Sequence, residues 1–256
     1  MKHERLILIG KLVGALAVAI PLAAQAPSGD ILQGTSQPPH VRANLPATAN
    51  SSPTGIFPQK MRAAYGFNLG HNTGAGQTIA IVDAFDDPNI EADFGVFNTT
   101  FHLPACTTAN GCFKKIYGSG TKPPSDTSGW SDEMAIDVQW AHAIAPSAKI
   151  ILVEANSNSN ADLYLAVDVA VANGASVVSM SWGGGVTSSG DGGHGAQYPA
   201  ASPYVVAVGG TSLTINNSTG AWVSETAWNE SGGGASRYEA EPTYQSAVIK
   251  ALALAP

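Results

Sequence analysis

The chain has 256 residues, 12 Lys and Arg against 19 Asp and Glu, a formal charge of −7, and 44% hydrophobic residues. This balance excludes a nucleic-acid partner, which needs a basic footprint. It leaves enough chain for one domain with a real core.

Residues 1–26 read as a secretory signal peptide. Lys2, Arg5 and Lys11 form a basic start, Leu12 to Ala24 is an apolar run of 13 residues, and Ala24-Gln25-Ala26 is an A-x-A cleavage site. The run is shorter than the roughly 20 residues that cross a bilayer, so no membrane association is expected after cleavage. Its removal takes away Lys2, Arg5, Lys11 and Glu4 and moves the net charge from −7 to about −9. The expected location is secreted or periplasmic. In that setting the two cysteines, Cys106 and Cys112, are expected to form a local disulfide around an Asn-Gly turn, and no metal site is expected there.

Residues 27–56 are rich in Pro, Ser, Thr, Asn and Ala without an apolar period, and are expected to be a flexible leader. Order is expected from residue 57, with a short helix over Phe57 to Gly66. Gln77 to Asp83 reads as a buried strand ending in a carboxylate, and Asp87 to Phe97 as a helix. Phe101 to Ser128 is loop-like. Ser131 to Ile144 reads as a helix capped by Ser131 and stopped by Pro146. Ala148 to Glu154 is a second strand, Ala161 to Asn173 a helix closed by Gly174, and Ser176 to Ser181 a third strand. Tyr204 to Val208 and Ser212 to Ile215 are expected as the fourth and fifth. Alternation of this kind points to a parallel sheet with helices on both faces. Only five residues separate Trp182 from Ser188, too few for a parallel crossover.

Three stretches carry chemistry. The first, Trp130-Ser131-Asp132-Glu133-Met134-Ala135-Ile136-Asp137-Val138-Gln139-Trp140, sets Glu133 and Asp137 on one helix face. Two carboxyls held close split their titration, one ionising readily while the other keeps its proton. The second is Ser188-Ser189-Gly190-Asp191. The third is Ser231-Gly232-Gly233-Gly234-Ala235-Ser236, with Pro242-Thr243-Tyr244-Gln245 behind it.

Together these resemble the sedolisins, the serine-carboxyl peptidases, over residues from about 57 to 256. The resemblance implies an α/β, subtilisin-like parallel sheet with helices on both faces, incomplete at the C-terminus, in a partial peptidase domain over 57–256. It implies proteolysis at acidic pH on a protein or peptide substrate. Glu133 would be the general base for a serine hydroxyl, Asp137 would share its proton, and Asp191 would be the protonated acid at the oxyanion. Asp83 and Trp182 would extend the proton network, and Gly183 and Gly184 would line the substrate cleft.

The nucleophile segment expected of such a protein, Gly-Thr-Ser opening a helix with Pro four residues after the Ser, does not occur in residues 1–256. The chain alone is therefore expected to be inactive. No cofactor is expected within it, since the family's calcium site would lie beyond residue 256. Ser212, in Gly209-Gly210-Thr211-Ser212, is rejected as nucleophile because Leu213-Thr214-Ile215 continues like a strand. Two alternatives stand beside this reading: a non-catalytic peptide-binding pseudo-peptidase, and an Asp-His-Ser subtilase using Asp83, His194 and Ser212, each in a poor local context.

Overall fold

The computed structural model describes residues 18–19, 33–38, 55–67, 72–184, 195–234, 236 and 239–246. Its elements are β1 (Val18–Ala19), α1 (Pro58–Ala64), β2 (Thr78–Ala84), α2 (Ile90–Thr100), β3 (Phe113–Tyr117), α3 (Trp130–Ile144), β4 (Lys149–Ala155), α4 (Asn160–Ala172), β5 (Val177–Ser179), β6 (Val205–Val206), β7 (Thr211–Ile215) and β8 (Trp222–Ala227). The apolar runs of β2 and β4 lie side by side at the centre of a parallel sheet of order β3-β4-β2-β5. Such runs suit strands covered on both faces. Helices α2 and α3 pack on each other and α3 on β2, while α4 packs on β4, β2 and β5. The architecture is α/β, a parallel sheet flanked by helices. Its core joins Ile81, Phe94, Phe113, Trp130, Met134, Ile150, Leu152 and Leu163, all essentially inaccessible. Each such side chain contributes roughly 1.5–3 kcal/mol relative to exposure.

Three expectations are corrected. The segment from Phe101 to Ser128 is not all loop. Phe113–Tyr117 forms β3, pairing with β4 from Phe113 opposite Ile150 to Tyr117 opposite Glu154. Two lysines in five residues hide its apolar pattern, and an edge strand tolerates them because one of its sides has no partner. The segments around Tyr204–Val208 and Ser212–Ile215 do form strands, but outside the parallel sheet. Val205–Val206 pairs antiparallel with Val18–Ala19, and β7 pairs antiparallel with β8.

The third correction concerns the start of α3. Ser131 lies inside the helix, and Gly129 takes the cap position with φ 103°. The cap acceptor is Asp126, whose Oδ2 accepts from the N–H groups of Ser131 (2.9 Å) and Gly129 (3.1 Å). Its Oδ1 accepts from the N–H of Ser128 at 2.8 Å. A carboxylate at a helix N-terminus satisfies orphan donors and faces the positive end of the dipole, which holds Asp126 below the ordinary carboxyl range despite partial burial. The other end of α3 stops at Ile144, two residues before Pro146. There Arg62 of α1 donates to the carbonyls of Ile144, Ala143 (3.5 Å) and Phe67 (3.0 Å). A cation at a helix C-terminus is the favourable sign.

Helix α4 begins at Ser159, whose hydroxyl accepts from the N–H of Asp162, and is followed by Gly174 with φ 83°. Cys106 and Cys112 are joined by a disulfide, with Asn110 Oδ1 accepting from the N–H groups of Thr107 and Cys112 inside the loop.

Most of residues 1–26 and of the leader lies outside the described residues. Within the leader, residues 33–38 are tied to the domain. Ser36 N–H donates to the Asn158 carbonyl (2.9 Å), its hydroxyl donates to Asn160 Oδ1 (2.8 Å), and Gln37 and Gly183 exchange backbone bonds. Among the described residues no helix is long and apolar enough to cross a membrane.

The capping assignment separates two neighbouring side chains. Asp126→Ala is expected to cost about 1–2 kcal/mol of stability, and Ser131→Ala within about 0.5 kcal/mol. Urea unfolding of both variants, followed by circular dichroism, checks the order.

Candidate active site

Glu133 and Asp137 sit one turn apart on α3, on the side that also buries Trp130, Met134 and Val138. Glu133 is 0% exposed and Asp137 7%. Like charges at this spacing cost a helix only about 0.2–0.5 kcal/mol, but burying an unpaired carboxylate costs several kcal/mol. Burial accordingly pushes Asp137 up to about 7, while a hydrogen bond from the Ser181 side chain works in the opposite direction.

Behind this pair, at the end of β2, lies Asp83, fully buried. Burial, then the nearby negative charges of Asp137 and Glu154, hold its carboxyl well above the usual range. Neither Asp83 oxygen has a hydrogen-bond partner among the described residues. Asp83 and Glu154 face each other in the β2–β4 register. Glu154 is also enclosed, and burial pushes it up to about 7, ahead of the opposing bond from Lys115.

The strand β5 leads into the third side of the site. Ser181 bonds Asp137. The Trp182 indole N–H donates to the Val82 carbonyl at 2.8 Å, so this donor braces β2 and is not spent on the Asp83 carboxyl. The Trp182 ring packs tilted at 5.7 Å against Tyr164, which meets Tyr198 edge-on at 5.8 Å. Gly183 and Gly184 follow. A side chain at Gly184 would sit 2.6 Å from the Thr35 carbonyl, so the close approach of the leader requires glycine there.

Trp182 and Gly183 border a cleft of about 840 Å³, also lined by Tyr198, Tyr204, Trp228 and Tyr244. Asp83, Glu133 and Asp137 do not line it, whereas Glu239 and Glu241 do. The Ser231–Gly234 stretch closes one side, with Ser231 Oγ accepting from the Gly210 N–H at 2.9 Å. Ser212 lies within β7, opposite Thr226, and opens no helix. Asp191 and His194 fall outside the described residues.

The structure thus brings together Glu133, Asp137, Asp83 and Trp182, with Gly183 and Gly184 at the cleft. Glu154, Lys115 and Ser181 were missed. A signal for Glu154 was present, since it ends an apolar strand in a carboxylate just as Asp83 does. Among the described residues, the grouping with metal-ligand spacing is Cys106, Cys112 and His142, whose ligand atoms lie within 4.8 Å of one another. The sulfurs are tied in the disulfide and have no thiolate to offer.

These features define a buried acid cluster beside a cleft on a subtilisin-like α/β fold, and the comparisons agree on the fold. The chain is 30% identical over 243 residues to kumamolisin of Bacillus sp. (strain MN-32), covering 77% of this chain and 42% of that protein. It is 48% identical over 61 residues to sedolisin of Pseudomonas sp. (strain 101), covering 20% of this chain and 10% of that protein. Among solved structures, it matches Pseudomonas sedolisin, a serine-carboxyl proteinase complexed with two molecules of pseudo-iodotyrostatin. That match has a TM-score of 0.63 at 24% identity, over 77% of this chain and 67% of that one. No protein-family model matches. The chain spans less than half the length of the curated relatives it matches. It belongs to the sedolisin family.

Raised carboxyls reverse the usual pH dependence of stability. Between the unfolded value near 4 and the folded value near 7, the folded state binds more protons than the unfolded one. Stability therefore falls as pH rises through that window. His142, lowered by burial, opposes this below its ordinary value. Asp83→Asn is expected to raise the thermal unfolding midpoint at pH 8 and leave it nearly unchanged at pH 4. Scanning calorimetry at the two pH values checks this.

Proposed function

We propose that this chain carries the acid half of a serine-carboxyl endopeptidase site, acting on proteins or peptides at acidic pH outside the cytoplasm. Family membership supports the reaction class. The observation that carries the reading is the buried carboxyl group set of Glu133, Asp137 and Asp83, bordered by Ser181-Trp182-Gly183 and, through them, by the cleft.

In this reading Glu133 accepts the proton of a serine hydroxyl as it attacks a peptide carbonyl. Asp137 shares that proton and returns it to the leaving amine through Glu133. Asp191, protonated in acid, donates to the developing oxyanion, which an ionised carboxylate would repel. The low dielectric around α3 lets a single negative charge be shared between the two acids, while the rest of the group stays neutral. Gly183 and Gly184 offer backbone to an extended peptide, as Gly183 does here to Gln37. The basic start, apolar run and A-x-A site of residues 1–26 support export.

The nucleophile motif does not occur within residues 1–256. Hydrolysis in this reading requires such a serine; the alternative reading is a non-catalytic peptide-binding module. Loss of such a nucleophile costs on the order of 10⁶ in rate. Incubation of the chain with a denatured protein at acid pH is expected to show no turnover. A longer product carrying Gly-Thr-Ser-x-x-x-Pro is expected to hydrolyse it, and to lose that activity with Glu133→Ala or Asp137→Ala. Hydrolysis that survives both substitutions overturns the reading.

A further inference from the structure

Away from the acid cluster, the last turn of α3 meets the disulfide loop at a histidine to which the peptidase reading gives no role. His142 is fully buried, with its ring at right angles to Phe94 of α2 and 5.2 Å away. Its Nε2 lies 2.9 Å from the Pro104 carbonyl. A carbonyl oxygen only accepts, so Nε2 carries a ring proton and, in the neutral ring, Nδ1 carries the lone pair. Nδ1 is buried with no hydrogen-bond partner among the described residues. A buried acceptor left unmet is destabilising, and a lone pair is also what a metal ion binds.

Two sulfurs stand beside this ring. The ligand atoms of Cys106, Cys112 and His142 lie within 4.8 Å of one another. Cys106 is buried and Cys112 half-buried, while Thr108 to Gly111 between them are exposed. The loop can therefore adjust without disturbing the core. A cavity of about 170 Å³ lies against Cys106, bordered also by Asn98, Thr99, Leu103 and Thr107. Four-coordinate zinc bonds sulfur at about 2.3 Å and imidazole nitrogen at about 2.0–2.1 Å, which sets its ligand atoms roughly 3.5–3.8 Å apart. The three groups already stand within about 1 Å of what such a shell requires of sulfur and nitrogen. Once reduced, the two sulfurs part by rotation about their Cα–Cβ bonds.

We propose that Cys106, Cys112 and His142 form a site for a thiophilic divalent cation of the zinc class in the dithiol form of the chain. The site and the disulfide are alternative states of the same two sulfurs. Binding turns two thiols and a neutral imidazole into two thiolates and an imidazole around the cation, and releases two protons. The charges then sum to zero, which lets the ion be buried. The bond from Nε2 to the Pro104 carbonyl holds the ring, as an outer partner does for a ligating histidine. The cavity beside Cys106 leaves the fourth position to solvent.

Oxidation runs the exchange the other way. An external disulfide takes two electrons from the thiolates and two protons from solvent and becomes two thiols, while the Cys106–Cys112 bond forms and the cation leaves. Every chain is made with its thiols reduced, so the site precedes the disulfide and needs no reductant. The inference is independent of the peptidase reading.

The test uses the full chain, reduced with a phosphine under inert gas at neutral pH, with Co²⁺ as probe and Zn²⁺ as competitor. One Co²⁺ per chain is expected, with a thiolate-to-cobalt charge-transfer band and the visible bands of a tetrahedral site, all removed by Zn²⁺. The disulfide form and the double variant Cys106→Ser, Cys112→Ser are expected to show neither. His142→Gln is expected to weaken Zn²⁺ by roughly tenfold or more. If circular dichroism shows that this variant does not fold, zinc-edge X-ray absorption of the reduced wild type decides, with two sulfurs at about 2.3 Å and an imidazole nitrogen at about 2.0–2.1 Å. Saturating Zn²⁺ is also expected to slow disulfide formation by a small-molecule disulfide. A reduced chain without the cobalt bands, a zinc shell without imidazole, unchanged affinity in folded His142→Gln, or an oxidation rate indifferent to Zn²⁺ overturns the proposal.

Discussion

Burying a carboxyl without a cation is the constraint on which this site depends. Ionised carboxylates lose several kcal/mol when taken out of water, and the protein recovers that only with a well-placed positive charge or by keeping the proton. At the carboxyl ends of β2 and β4 it does both, a few ångströms apart. Asp86 meets Lys115 and Lys122 and is held below the ordinary carboxyl range in spite of its burial. Asp83 and Asp137 have no such partner among the described residues and are driven the other way. Glu154 stands between the two regimes. Its ion pair with Lys115 strengthens the lysine's hold on its proton, yet burial still dominates at the carboxylate. The two partners answer differently because Lys115 keeps 20% exposure and gains two anions, while Glu154 is fully enclosed. A boundary between ionised and neutral acids is thus drawn through β4.

The fold keeps that boundary fixed by holding α3 at both ends. Asp126 gathers the free N–H groups of its first turn, and Arg62 covers the carbonyls of its last. Between them, Trp130, Met134 and Val138 anchor the helix in the core. Glu133 and Asp137 follow the same face, so the apolar packing that stabilises α3 is also what strips water from the two acids. Stability and proton affinity come from one set of contacts. A parallel sheet supplies the rest, since it brings the carboxyl ends of its strands to a common edge, where sites in such folds form.

The central elements were legible because their signals are local. Apolar runs placed β2 and β4, and the 3.6-residue period with Pro146 placed α3. The family was legible from Glu133 and Asp137 in their flanking context. What was hidden depends on partners distant in sequence. Strand β3 reads as loop because Lys114 and Lys115 interrupt it, and Lys115 makes sense in a strand only once Asp86 and Glu154 are seen beside it. Ser131 looks like a cap by position, but it lies inside the helix and its own N–H donates to Asp126. Part of the leader, polar and without period, is ordered through Asn158, Asn160 and Gly183, more than 120 residues away. Trp182 was recognised, yet its bond to the Val82 backbone could not be read from a pattern of side chains.

Three consecutive residues couple the hidden acids to the open cleft. Ser181 bonds Asp137, Trp182 is fixed to the backbone of β2 one residue before Asp83, and Gly183 borders the cavity. The hydrogen bond from Ser181 favours the ionised form of Asp137, whereas Asp83 receives none among the described residues and carries two acidic neighbours. Both acids are pushed up by burial, and of the two it is Asp137 that has a hydrogen bond favouring its ionised form. A peptide laid along Gly183, where Gln37 now sits, would lie two residues from the serine that bonds Asp137. Among the described residues no cation contacts Asp83 or Asp137, so burial and one serine set the difference between them.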